Sequence, residues 1–221
     1  EPTADLVAAS GGNIARVIAV DIDPANVEAS RELISDLDVE FVGIASDFAD
    51  LDWDQLRSLC AGTTVSVNAA FALHHLDLGA KTKVLTEIAA LQPHRVTLVE
   101  SSSSHASADM LDRLIGCYAH YSAVWSAIQA SSIRRDARRA VLRFLGREIS
   151  DIMRDDPVRY QRDEHWVFWY RMLLRSGLRP VAFAASQLDP EVVQLLPGAA
   201  NVHARNTHLI TTFSFSSAQP S

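Results

Sequence analysis

The feature that most constrains this chain is a repeated alternation of short, continuous apolar runs with helical patterns between residues 17 and 100. Residues 17–20 form a compact, largely β-branched run that ends in Asp21. Pro24 then opens a helical stretch to about residue 37, in which Val27, Leu33, Ile34 and Leu37 recur at helical spacing. The pattern returns over 40–45 with a turn at Asp47, over 64–68 with a segment to residue 76, as a helix over 81–91, and over 96–100. Apolar runs without alternation suit strands buried on both faces, and connections of this length suit right-handed crossovers. The expectation is an α/β fold, a doubly wound and mostly parallel sheet with helices on both sides.

After Glu100 three long helical patterns, 109–129, 133–154 and 162–176, follow without a strand, which predicts a helical insertion over 106–177. Two last strand patterns, 179–184 and 208–215, predict an antiparallel pair at the sheet's far edge. At 221 residues the chain fits one domain of this class. A formal charge of -7 leaves no overall footprint for nucleic acid, although 134–147 is locally basic, so a direct nucleic-acid partner is not expected. Cys60 and Cys117 lie in apolar-periodic segments without metal-ligand spacing; they read as buried free thiols in a reducing cytoplasm, with no metal site. No run reaches the length of a membrane span and the first residues lack a signal-peptide pattern, so no membrane partner is expected.

In doubly wound sheets ligands bind at the carboxyl ends of the strands. The residues ending each run are Asp21, Asp47, Asn68 and Glu100. A carboxylate at Asp21 can accept both hydroxyls of a ribose; Ile22 can pack on an adenine face, and Asp47 with Phe48 can read the adenine amino edge. The same aspartates also suit helix caps and turn starts. Histidines 74 and 75 follow one strand and Glu100 with His105 another, so His105 or His75 as general base with Glu100 as orienter is one arrangement the order allows. Satisfying loop backbone is the alternative role for each histidine.

The insertion's aromatics, including Tyr118, Tyr121, Trp125, Trp166 and Trp169, either wall a ligand pocket or form the core that joins insertion to sheet, with one of Trp166 and Trp169 facing inward. Arg147 suits a carboxylate clamp, and an ion-pair network of Arg147, Glu148, Arg159, Arg162 and Glu164 is the structural alternative.

"VIAVDIDPANVEASREL" followed by "FVGIASDFADL" resembles the second and third motif regions of class I S-adenosylmethionine-dependent methyltransferases. Those enzymes place a first strand and a Gly-rich turn ahead of this point. Here Gly11 and Gly12 come after a short helix-like segment and look like its cap, so that first strand is not expected in this chain. From Val65 to Phe183, "VNAAFALHHL", "HRVTLVE", "YAHYSAVWSAI", "LGREISDI" and "RYQRDEHWVFWYRMLLRSGLRPVAF" resemble, in order, the GRAS domain family. Asp163 stands where that family usually has His. The resemblance implies a Rossmann-like methyltransferase fold. It also implies S-adenosylmethionine as cofactor and a small-molecule substrate, as in the family's bacterial-type members, or a non-catalytic regulatory module, as in its plant members. The implied cofactor residues are Asp21, Ile22, Asp47, Phe48 and Asn68. His105, His75 and Glu100 would serve catalysis, and Tyr121, Trp125, Arg147 and Trp169 the substrate. A homodimer is compatible with this reading.

Overall fold

The computed structural model describes residues 7–8, 10–181, 204–206 and 210–217. The chain divides into two compact units, Glu1–Leu59 and Cys60–Ser221.

In the first unit, strands β1 (Arg16–Asp21) and β2 (Glu40–Ala45) pair in parallel, Asp21 opposite Ala45, and are joined through helix α1 (Pro24–Leu33). Asp23 caps α1 by accepting the Ala25 N–H at 2.8 Å, and Pro24 fills the first helical position, where a missing N–H costs nothing. The helix stops at Leu33, short of the predicted residue 37. Its last carbonyls are taken by turn bonds, Ile34 N–H to Arg31 O and Ser35 N–H to Glu32 O, and Ile34 and Val27 are buried. Gly11 and Gly12 both have positive φ, 60° and 86°, in the turn between Val7–Ala8 and β1, the conformation a helix cap requires. Helix α2 (Trp53–Cys60) was not anticipated. Its signal is modest: Asp52 accepts the Gln55 N–H at 2.9 Å, and Trp53 and Leu56 are buried.

The second unit carries a five-stranded mixed sheet of order β3–β4–β7–β5, with β6 also on β7. Its strands are β3 (Ser66–Ala70), β4 (Arg95–Ser101), β5 (Leu178–Pro180), β6 (Ala204–Asn206) and β7 (Ile210–Ser217). β3 and β4 are parallel, joined through helix α3 (Leu78–Ala90), and β7 runs antiparallel to both β4 and β5. The predicted antiparallel pair is therefore present, though β7 lies between β4 and β5. Residues 182–184 of the first predicted strand lie outside the described residues. The parallel sheet pieces are those of an α/β fold: one two-stranded ladder and one mixed sheet.

Between β4 and β5 come three α-helices, a one-turn helix Asp156–Val158 and no strand: α4 (Met110–Ala130), α5 (Arg135–Ile152) and α6 (Trp166–Arg175). The third α-helix starts at Trp166, four residues later than the pattern suggested, because residues 162–165 are held out of the helix. Arg162 N–H donates to His74 O at 3.0 Å, the Asp163 carbonyl accepts from His105 N–H at 2.9 Å, and His165 caps the helix. Lys81 of α3 is 1% exposed, and its ammonium holds the Arg162 carbonyl at 2.7 Å and Glu164 at 3.2 Å; burial works to lower its pKa against the Glu164 charge. Arg113, also buried, donates from α4 to the carbonyls of Ile152 and Arg154 and so closes the end of α5.

Two helix glycines give opposite expectations. A Cβ at Gly116 would lie 2.6 Å from the Ser104 carbonyl oxygen and 3.3 Å from His105 Cδ2, whereas one at Gly146 would meet nothing within 4 Å. Gly116→Ala should destabilise the fold by about 1–3 kcal/mol through overpacking. Gly146→Ala should stabilise it by about 0.4–1 kcal/mol through the helix-propensity gain. Urea unfolding midpoints of the two variants check both signs.

Candidate functional site

The expected strand-end residues fall in the two units and take different local roles. At the end of β1, Asp21 is half-buried, and its Oδ1 accepts the Asp23 N–H at 2.8 Å and the Asn26 side-chain amide at 3.2 Å. Oδ2 has no partner among the described residues. The next residue, Ile22, is 70% exposed, an apolar side chain left beside an open carboxylate. Asp47, after β2, accepts the Ala49 N–H at 2.8 Å and starts a turn; Phe48 beside it is half-buried.

Asn68 does not end its strand. β3 continues to Ala70, with Asn68 exposed and opposite Thr97. Immediately after the strand comes Phe71, exposed and at φ 51°, with its N–H on Val99 O at 2.8 Å. A left-handed aromatic costs about 1–2 kcal/mol, and such strain gathers at functional sites. No pattern in the sequence marks it.

Glu100 is fully buried and saturated. Its Oε1 accepts the N–H groups of Ala72 and Leu73, the latter at 2.8 Å, and its Oε2 meets His74 Nδ1 at 2.8 Å. The carboxylate so caps the one-turn helix Leu73–His75 and fixes the buried His74 imidazole. Burial works to lower His74, and the Glu100 contact outweighs it, leaving its pKa raised. His75 is turned outward; desolvation and the neighbouring His74 charge lower it. Glu100 and His105 are thus in separate pairs, and the partner of His105 is Asp163.

His105 is fully buried. Its Nδ1 meets Asp163 Oδ2 at 2.9 Å and Ser103 Oγ at 3.2 Å, and its carbonyl accepts from Arg159. Burial works to lower the imidazole, but the Asp163 carboxylate wins and raises it to about 9; Cys117 beside the ring acts in the same direction. Nε2 has no partner in hydrogen-bond geometry. The Asp163 carboxyl is held below its usual range in spite of burial. At neutral pH this is an imidazolium–carboxylate pair with a spare N–H, a hydrogen-bond donor and acid; it becomes a base only as the pH approaches 9.

On α4, Cys117, His120 and Tyr121 share a face three and four residues apart, and the His105 ring lies 5.8 Å from His120 and 6.0 Å from Tyr121, stacked on the latter. The Tyr121 hydroxyl reaches Glu148 at 3.4 Å, and burial raises both groups. Sequence order missed Asp163, Ser103, Cys117 and His120 as neighbours of His105. The i, i+3, i+4 spacing of 117, 120 and 121 was a clue to the α4 neighbours only.

Trp125 is 49% exposed, and Trp169 is fully buried with Lys81 Nζ 5.2 Å from its ring, so of the two α6 tryptophans Trp169 is the inward one. Arg147 is exposed on α5, and Glu148 turns instead toward Tyr121. Arg159 donates to the carbonyls of His105, Ala106, Ser107 and Gln161, and so clamps the segment after β4. Neither cysteine is in a disulfide among the described residues; Cys117 is buried as expected, whereas Cys60, at the end of α2, is only half-buried. Among the described residues no three His, Cys, Asp or Glu side chains are grouped to hold a metal, and no helix is long and apolar enough to cross a membrane.

The pair has a definite pH signature. His105 is raised, so its contribution is full below 6.5 and is lost as the pH rises through about 9. Asp163 is lowered, so its contribution is present above 3.8 and is lost as the pH falls below that value. Unfolding free energy should therefore fall by on the order of 3 kcal/mol between neutral pH and about pH 10. Asp163→Asn keeps an acceptor but removes the charge. It should abolish that alkaline slope and lower neutral-pH stability by about 1–3 kcal/mol, as read by denaturant titration across the range.

The profile of the GRAS domain family matches residues 32–203. "DELLA protein 2" of Medicago truncatula is 30% identical over 142 residues, 62% of this chain and 27% of that protein. "GRAS family protein RAD1" of Lotus japonicus is 26% identical over 176 residues, 74% of this chain and 34% of that protein. The chain thus spans about a third or less of these curated relatives. Among solved structures, SCL7 of Oryza sativa superposes with a TM-score of 0.71 at 19% identity, over 90% of this chain and 64% of that one. The S-adenosylmethionine-dependent methyltransferase SibL superposes at 0.53 and 14%, over 98% of this chain and 47% of that one. The O-methyltransferase NcsB1, solved with S-adenosyl-L-homocysteine and 1,4-dihydroxy-2-naphthoic acid, superposes at 0.50 and 11%, over 98% and 46%. These likenesses establish a methyltransferase-like fold, and the matched residues establish the family: this chain belongs to the GRAS domain family.

Proposed function

We propose that this chain is a bacterial-type GRAS protein that binds S-adenosylmethionine and methylates a small molecule. The observation that carries the reading is the end of β1, where Asp21 keeps Oδ2 open beside the exposed Ile22. A ribose diol needs a carboxylate with acceptor capacity to spare, and an adenine needs an apolar face next to it; both are present, so the residues fit the adenosyl end of the cofactor. Asp47, Phe48 and Asn68 complete the proposed cofactor set. Bound there, the cofactor supplies an electrophilic methyl group.

The chain's part in such a transfer is alignment, worth several kcal/mol when donor and acceptor are held in line. Tyr121, Trp125, Arg147 and Trp169 are the proposed substrate residues, and His105, His75 and Glu100 the proposed catalytic set. With His105 protonated at neutral pH, its part is to orient the methyl acceptor as a hydrogen-bond donor; His75, exposed and lowered, is the group able to take the acceptor's proton. The reading takes 1–221 as one doubly wound domain with its insertion at 106–177. The protein would work in the cytoplasm, without metal, membrane or direct nucleic-acid contact, and dimerisation is compatible with it.

One observation favours a non-catalytic regulatory module instead. Glu100 and His105 are fully buried and occupied by protein partners, as residues kept for structure would be. Calorimetric titration of S-adenosylhomocysteine separates the two. Wild type should bind, and Asp21→Ala should bind about ten- to a hundredfold more weakly, since hydrogen bonds to a charged group contribute about 1.5–3 kcal/mol. Absence of heat with wild type would leave the regulatory module standing.

A further inference from the structure

Helix α5 concentrates positive charge in a chain whose formal charge is -7. Between residues 134 and 154 there are seven arginines and three carboxylates. Arg135, Arg139, Arg143 and Arg147 recur every fourth residue, which places them on one face about 6 Å apart, and all four are exposed. Like charges at this spacing repel and weaken a helix.

The nearby carboxylates do not relieve the repulsion. Asp136 pairs with Arg134, Glu148 turns to Tyr121, and Asp151 holds the N–H groups of Tyr160 and Gln161 and pairs with Arg154. Arg143 and Arg147 have no carboxylate partner among the described residues. They border a groove of about 650 Å³ that Phe144, Glu148, Asp151 and Arg154 also line, and a hollow of about 460 Å³ over Ala140 continues it along the helix. Phe144 is 51% exposed within it.

We propose that the Arg135, Arg139, Arg143 and Arg147 face of α5, with the groove beside it, docks an acidic peptide segment of a protein partner. The segment presents carboxylates about one helical turn apart and an apolar side chain to Phe144. Charge complementarity selects the sign: carboxylates at that spacing meet each guanidinium, which can bind them through two parallel hydrogen bonds. The groove's own Glu148 and Asp151 select the class. Discrete carboxylates interleave with them, whereas a nucleic acid's continuous run of phosphates meets their repulsion and that of the acidic remainder of the chain. Arg147 is shared with the proposed substrate set, but peptide docking does not depend on S-adenosylmethionine binding, so the peptide and cofactor titrations fail separately.

Fluorescence anisotropy with a labelled helical peptide carrying Glu at every fourth residue and Leu between tests the docking. Wild type should bind this peptide, more weakly as salt is raised, and should bind its Gln counterpart at least tenfold less well. The double charge reversal Arg143→Glu with Arg147→Glu should weaken binding by more than tenfold, while Arg179→Glu, an exposed arginine away from α5, should leave it unchanged. Circular dichroism checks the fold, and Arg143→Gln with Arg147→Gln carries the same expectation should the reversal perturb it. Absence of wild-type binding, equal binding of the Gln peptide, or equal loss in the Arg179 variant overturns the proposal. A single-stranded oligonucleotide of similar length that displaces the peptide at lower concentration also overturns it, and assigns the face to nucleic acid.

Discussion

The second unit depends on the pairing of two irregular segments, residues 103–107 after β4 and 159–163 before α6. His105 and Asp163 are joined twice, main chain to main chain at 2.9 Å and side chain to side chain at 2.9 Å, and Arg159 fastens the carbonyls of 105–107 from the same side. Neither segment is helix or strand, so their backbone groups would be orphaned in the interior without each other. Because α4 departs from one segment and α6 from the other, this pairing sets the starts of both helices. Breaking such a buried pair from one side leaves an uncompensated charge, a far larger loss than the pair's own net contribution.

The same logic recurs one layer away, and it explains why two buried carboxylates carry different tasks. Glu100 is spent on the N–H groups of a one-turn helix and on His74, and Asp163 on His105, so each anion has one imidazole, and Glu100 two main-chain donors besides. Asp163 is lowered and both histidines are raised, as expected where charge pairs inside a desolvated region outweigh burial. A histidine at the family position Asp163 occupies would meet His105 with a ring rather than a carboxylate. The acidic residue is what makes His105 cationic in this chain.

Much of the architecture was legible because it is written in periodicity. The β1–α1–β2 unit, the parallel β3–β4 pair and the three helices of the insertion each carry a local apolar rhythm that survives in the structure. The parts that were not legible are those fixed by partners distant in sequence. Residues 162–165 continue a helical pattern yet stay outside the helix, since His74 and His105 claim the main chain of 162 and 163. The His105–Asp163 pair spans 58 positions, and no spacing rule predicts it. Phe71 takes a left-handed conformation that its residue type disfavours, so propensity argued against it. Asp21 was the readier case, because strand-end position alone defines its surroundings.

The second unit treats charge in opposite ways inside and on the outer face of α5. Inside, the carboxylates Glu100, Asp163 and Glu164 are each matched by a basic side chain, His74, His105 and Lys81. On the outer face of α5, arginines stand at repelling distance although the chain has an excess of carboxylates with which to match them. A sequence that neutralises charge so fully in its interior but keeps a like-charged row outside accepts a local conflict, and such conflicts are resolved either by folding or by binding. Folding has already committed Glu148 and Asp151 elsewhere, to Tyr121 and to the main chain of residues 160 and 161, so the row is left to solvent and to the acidic partner proposed for it.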